Sequence, residues 1–149
     1  MPIRVIRPDS ESLEGAGYAS IAHIPFLFAD DGHYPPEPNR YLRARALCEW
    51  ELKVGTHATP SQSKKRFLTE QSCWAMARRV ATFLNWCETD SRDWRSVDYA
   101  SDLIAWQRGL LSGAASTSKR GLDAKTVNAL IDEACYFLTW ASEIPDATG

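Results

Sequence analysis

Between residues 70 and 88 the apolar positions Cys73, Met76, Ala77, Val80, Phe83, Leu84 and Cys87 recur at spacings of 3 and 4, while Arg78, Arg79 and Asn85 fall largely elsewhere. That period marks one face of a helix. Thr69 is a natural N-cap for it, Glu70 sits on the positive end of the helix dipole, and Leu68 can staple against Cys73. A second helix is predicted from Ser96 as cap, with Tyr99, Leu103, Trp106 and Leu110 stepping by 4, 3 and 4 until Gly113. The third follows Gly121, Leu122 and Asp123, carries Val127, Leu130, Ile131, Ala134, Leu138 and Ala141 on one stripe, and stops before Pro145. Two of these helices end alike, in Phe83-Leu84-Asn85-Trp86 and Phe137-Leu138-Thr139-Trp140.

The upstream pattern is weaker. Residues 1 to 20 are polar and Gly-rich without a sustained period and are expected to fray. Ile21 to Phe28 is a β-prone run stopped by Asp30, Asp31, Gly32 and by Pro35, Pro36 and Pro38, which predicts a strand or hairpin arm. Asn39 is the expected N-cap of a helix from Arg40 to Leu52, ended by Gly55. Thr56 to Arg66, rich in Thr, Ser, Gln and Lys, reads as a linker. The expectation is a mainly α chain: an N-terminal preface over 1–60, with one strand or hairpin and one helix, and a helical domain over 61–149. Five of the six tryptophans (Trp74, Trp86, Trp94, Trp106, Trp140) lie after residue 70, which assigns the core to the second half.

Composition narrows the class. With 149 residues, 44% of them hydrophobic, the chain can bury a core without metals or disulfides. No apolar run approaches the roughly 18 residues that span a bilayer, and Met1 to Pro8 is too short for a signal peptide, so no membrane is expected and the expected location is cytoplasmic. Cys48, Cys73, Cys87 and Cys135 stand far apart, without metal-ligand spacing, and read as buried reduced thiols. Neither metal nor cofactor is implied.

A net charge of -2 argues, by itself, against a nucleic-acid partner. Its distribution changes that picture. From Leu52 to Thr69 the charges are Lys53, Lys64, Lys65 and Arg66, and from Leu103 to Leu122 they are Arg108, Lys119 and Arg120, whereas Glu88 to Asp102 holds five acids against Arg92 and Arg95. Two basic loops thus flank an acidic corner.

Catalytic signatures are lacking in the sequence. There is no Gly-x-Ser-x-Gly and no phosphate-binding Gly-x-x-x-x-Gly-Lys, and Gly15-Ala16-Gly17 is not set between a buried strand and a helix. Ser61 to Lys64 and Ser116 to Lys119 fit Ser-x-x-Lys without any companion motif. His23, His33 and His57 read as loop residues. Asp132 and Glu133 point about 100 degrees apart on a helix and read as a solvated face rather than an acid/base pair. The chain is not expected to be an enzyme in its own right.

Taken in order, Leu68-Thr69, Phe83-Leu84-Asn85-Trp86-Cys87, Asp93-Trp94, Asp102-Leu103-Ile104-Ala105-Trp106-Gln107, Leu122-Asp123-Ala124-Lys125-Thr126-Val127-Asn128 and Phe137-Leu138-Thr139-Trp140 resemble the core-binding domain of tyrosine recombinases, the phage integrase family. Residues 64 to 143 fit that pattern throughout and residues 1 to 60 more loosely. The resemblance implies a small orthogonal, SAM-like helical bundle that forms half of a clamp on double-stranded DNA. The other half is the parent protein's own catalytic domain, and the parent acts as a tetramer on DNA. This chain has no His-x-x-Arg, so the resemblance implies a fragment unable to catalyse.

Physical reasoning adds candidate contacts. Lys64, Lys65 and Arg66 precede Thr69, and Lys119 and Arg120 precede Asp123, where free backbone N–H groups and the helix dipole favour a phosphate. Lys125 and Asn128 stand i,i+3 on one polar side, and Thr126 adds a hydroxyl. The alternative reading is a helical protein-interaction or regulatory domain, which would dock its partner through exposed aromatics and not through phosphates.

Overall fold

A computed structural model describes residues 2–17, 22–50, 68–115 and 120–143. In chain order they form β1 (Ile3–Ile6), α1 (Ser10–Gly15), β2 (Phe26–Ala29), α2 (Pro36–Ala46), α3 (Glu70–Thr89), α4 (Ile104–Ser112) and α5 (Ala124–Glu143). A 3-10 turn over Trp94–Ser96 and a π turn over Tyr99–Leu103 lead into α4. The fold is mainly helical with a two-stranded antiparallel hairpin ahead of the long helices, as the pattern predicted. Within the hairpin Ile3 lies opposite Ala29 and Ile6 opposite Phe26.

The expected fraying of the first twenty residues is corrected by β1 and α1. Ile3 and Val5 pack on the core, and Asp9 caps α1 by accepting the Ser12 N–H at 3.3 Å. Four strand residues are too few to show a period, which is why the pattern missed them. The predicted arm over 21–28 becomes a shorter strand, β2, shifted toward Ala29.

Two helix starts also differ from expectation. α2 begins at Pro36, after Pro35, and not at Arg40. Prolines in a first turn lack N–H groups that would have had no partner there, so the run that reads as a stop is also a helix start. Asn39 is no cap but lies inside the helix, buried against β2. α2 ends at Ala46, before the predicted Leu52. Ahead of α4 the cap is Asp98 and not Ser96: the Asp98 carboxylate accepts the Ser101 N–H at 2.9 Å, and the Asp102 carboxylate accepts the Asp98 N–H, also at 2.9 Å. Tyr99, expected on the apolar stripe, is 59% exposed. α3 and α5 start where predicted, Thr69 accepting the Ser72 N–H at 3.1 Å and Asp123 the Thr126 N–H at 2.8 Å. The linker over 56–66 and the end at Pro145 lie outside the described residues.

One core joins the helices. It holds Val80 and Phe83 of α3, Trp106 and Leu110 of α4, and Val127, Phe137 and Trp140 of α5. Leu27 of β2 and Tyr41 and Leu42 of α2 belong to the same cluster, so the upstream segment contributes to the core assigned to the second half. Trp140 is fully buried against Phe137 and Tyr41. Trp86, its sequence counterpart, is half-buried and stacks on Trp106 at 5.2 Å. All four cysteines are free; Cys73 and Cys87 are buried, Cys48 and Cys135 half-buried.

Candidate nucleic-acid interface

The start of α5 is fixed by a close crossing of backbones. α4 ends at Gly113 in the left-handed region (φ 92°). The returning chain then donates Ala115 N–H to the Gly109 carbonyl and Leu122 N–H to the Leu110 carbonyl, both at 3.0 Å. At Gly121 an added Cβ would lie 2.3 Å from the Leu111 carbonyl oxygen, so this position admits no side chain without a shift. Arg120, Asp123 and Lys125 are presented from this crossing, all exposed.

The helix N-termini are less open to phosphate than expected. Thr69 occupies the Ser72 N–H and Asp123 the Thr126 N–H, while Glu70 and Asp123 place negative charge at the two helix starts. The Thr126 side chain and backbone N–H together hold the Asp123 carboxyl below its ordinary range. At each helix start one of the donors expected to meet an anion is therefore already occupied by the cap.

The predicted contacts divide into three groups. Lys64, Lys65, Arg66 and Lys119 lie outside the described residues. Thr69 stands exposed at the start of α3, Arg120 is exposed ahead of α5, and Lys125 and Asn128 are exposed on its first turns. Among the described members of the set, Thr126 alone lines a groove of about 810 Å³ between α3, α4 and α5. Arg78, Arg79 and Thr82 of α3 line the same groove, over apolar ground that includes Trp106 and Leu130. These α3 residues were not among the predicted contacts. Their signal was present, since Arg78 and Thr82 stand i,i+4 off the apolar stripe, but a polar helix face usually means only solvent.

The groove reaches the acidic corner, since Asp90 also lines it. There, Arg92 pairs with Asp90 at 3.1 Å and with Asp102, and Arg95 pairs with Glu37 at 2.6 Å and Asp93 at 3.6 Å. Among the described residues Arg78 makes no ion pair, and Arg79 has only a 4.0 Å approach to Glu133. The groove arginines thus keep hydrogen-bonding capacity that the corner arginines have spent.

Glu133 overturns the expectation of a solvated Asp132–Glu133 face. Asp132 is exposed, but Glu133 is only 4% exposed. It accepts hydrogen bonds from the Tyr41 hydroxyl and from Arg45 at 3.1 Å. Burial raises its pKa, against the lowering effects of Tyr41, Arg45 and Arg79. Burial, then the charge of Glu133, pushes the Tyr41 hydroxyl up as well. Both therefore favour their neutral forms more than free side chains do.

Among the described residues no group of His, Cys, Asp and Glu is arranged to hold a metal, and no helix is long and apolar enough to cross a membrane. Compared with models of known families, with curated proteins and with solved structures, the chain matches none.

Proposed function

We propose that this chain is a DNA-binding domain, the core-binding part of a site-specific tyrosine recombinase, with strand cleavage carried by a separate catalytic domain of a parent that works as a tetramer. The order of sequence motifs over residues 64–143 motivates the family. The observation that carries DNA binding is the groove, where, among the described residues, Arg78 has no ion pair and Arg79 only a loose one in a chain of net charge -2. Exposed Lys125, Asn128 and Arg120 stand on or beside the first turns of α5, which also sends Thr126 into that groove. Arginines reach phosphates, whereas a carboxamide such as Asn128 can read adenine. The protein-interaction reading draws on Tyr99 and Leu111, exposed by 59% and 46%; single exposed apolar residues of this kind are ordinary on a surface.

Duplex binding measured across ionic strength tests the proposal. Half a clamp should bind weakly, with affinities of about 10⁻⁴ to 10⁻⁶ M at physiological salt and tighter binding below it. Arg78→Gln with Arg79→Gln should flatten the slope of log K against log salt by about 1.8, at about 0.9 for each phosphate no longer neutralised. Arg92→Gln with Arg95→Gln should barely change it. No binding at low salt, or equal effects from the two pairs, would overturn the reading in favour of protein docking.

A further inference from the structure

Among the described residues Glu133 is the one buried charged side chain, and its carboxylate faces two ways. Oε2 takes the Tyr41 hydroxyl and Arg45 Nη1, both from α2. Oε1 lies 4.0 Å from Nη1 of Arg79 on α3, and Arg79 lines the groove. At that distance there is attraction but no hydrogen bond. The five N–H donors of the guanidinium are therefore not committed to Glu133.

We propose that Glu133 and an anion in the groove compete for Arg79, so that groove occupancy and proton uptake by Glu133 promote one another. The idea rests on the groove being a phosphate-binding surface. The groups that face Glu133 are Tyr41 and Arg45 on α2 and Arg79 on α3. Tyr136, on α5 itself, sets its ring 5.3 Å from the Arg45 guanidinium. Arg108, the one charged residue of α4, is exposed and makes no ion pair among the described residues. Two guanidinium charges thus compensate one buried carboxylate. A phosphate that draws Arg79 outward leaves Arg45 alone to do so, and Glu133 then holds a proton more tightly. By linkage, a protonated Glu133 frees Arg79 and strengthens the anion's binding by the same factor.

The side-chain carboxyl carbon of Glu133, followed by NMR through a pH titration of the full chain, gives the test. Arg79→Gln should move the Glu133 midpoint upward. A short DNA duplex, or inorganic pyrophosphate as a second probe, should move it the same way in the unsubstituted chain and leave it in place in the Arg79→Gln variant. Glu133→Gln should bind the duplex about five-fold or more tightly at neutral pH, the low end of ordinary coupling between sites, and should lose part of the pH dependence of binding. An unchanged midpoint in Arg79→Gln overturns the coupling whatever DNA does. If the duplex fails to bind, the DNA reading falls, and pyrophosphate decides the competition in the same spectra. A probe that binds in the groove without moving the Glu133 midpoint overturns the proposal, and so does the failure of pyrophosphate to move it.

Discussion

Asn39 and Leu27 exchange two hydrogen bonds: the Asn39 Oδ1 accepts the Leu27 N–H at 2.7 Å, and its Nδ2 donates to the Leu27 carbonyl at 3.0 Å. Asn85 grips Ile3 in the same way, at 2.6 and 3.1 Å. A carboxamide thus stands where a neighbouring strand would pair, once on β2 from α2 and once on β1 from α3. A two-stranded sheet has only edges, and these two side chains cover them.

The prediction is that Asn39→Ala destabilises the fold by at least about 2 kcal/mol, since it strands a donor and an acceptor that are both buried. Asn85→Ala should cost less, because Asn85 is half-buried and water can replace it. Urea denaturation of the two variants checks the order. If neither substitution moves the midpoint, the hairpin is held by its apolar contacts alone.

The helical half was legible in the sequence because α3 and α5 are each 20 residues long and their stripes repeat over several turns. The hairpin was legible only in part, since four-residue strands carry almost no period. Asn39 misled because a carboxamide before a helical run is the ordinary cap, and nothing local shows that a distant backbone needs it. Glu133 could have been placed: it follows Leu130 by three and precedes Phe137 by four, so it lies on the buried stripe. Chemistry argued against that position and geometry prevailed, because Arg45 and Arg79 arrive from other helices. The groove arginines show the limit of a single chain's pattern, which tells a polar face from an apolar one but not which polar faces meet across a groove.

Glu133 sets a pH dependence whose sign is fixed. Burial raises its folded-state pKa above the unfolded value. The stability gained by binding that proton is full below the ordinary Glu range, about 4.3, and is lost as pH rises through the folded-state value. Glu133→Gln keeps an acceptor for Tyr41 and has no charge to desolvate, so it should gain stability relative to the unsubstituted chain as pH rises across that window. Tyr41→Phe removes a hydrogen bond that lowers the pKa and should carry the loss of stability to higher pH. Thermal denaturation from pH 4 to 8 reads both effects. A stability difference independent of pH would show that folding leaves the pKa of Glu133 unchanged.

Gly121 should resist substitution more than any exposed glycine without neighbours. A Cβ there meets the Leu111 carbonyl oxygen at 2.3 Å, and backbone must move to admit it. Gly121→Ala is expected to cost about 1 to 3 kcal/mol. At Gly15 a Cβ has nothing within 4 Å, so Gly15→Ala should be neutral or slightly stabilising. If both substitutions leave the melting temperature alone, the crossing between α4 and α5 is looser than the geometry states, and Arg120 and Asp123 are not held in place by it.

Asp123 separates folding from DNA binding. It caps α5 through the Thr126 N–H and sits beside Lys125 and Arg120 in the sequence, so one carboxylate orders the helix and lowers the positive potential at its start. Asparagine is an equally good cap without the charge. Asp123→Asn should therefore keep the melting temperature at neutral pH while tightening duplex binding at low salt. Asp123→Ala should lower the melting temperature. The pKa of Asp123 is depressed in the folded state, so its contribution is present above the unfolded value of about 3.9 and disappears as pH falls through the folded one. The penalty of Asp123→Ala should accordingly shrink in acid. An Asp123→Asn chain that folds as before but binds duplex no better would place the DNA away from the start of α5, and Lys125, Thr126 and Asn128 would lose their proposed role.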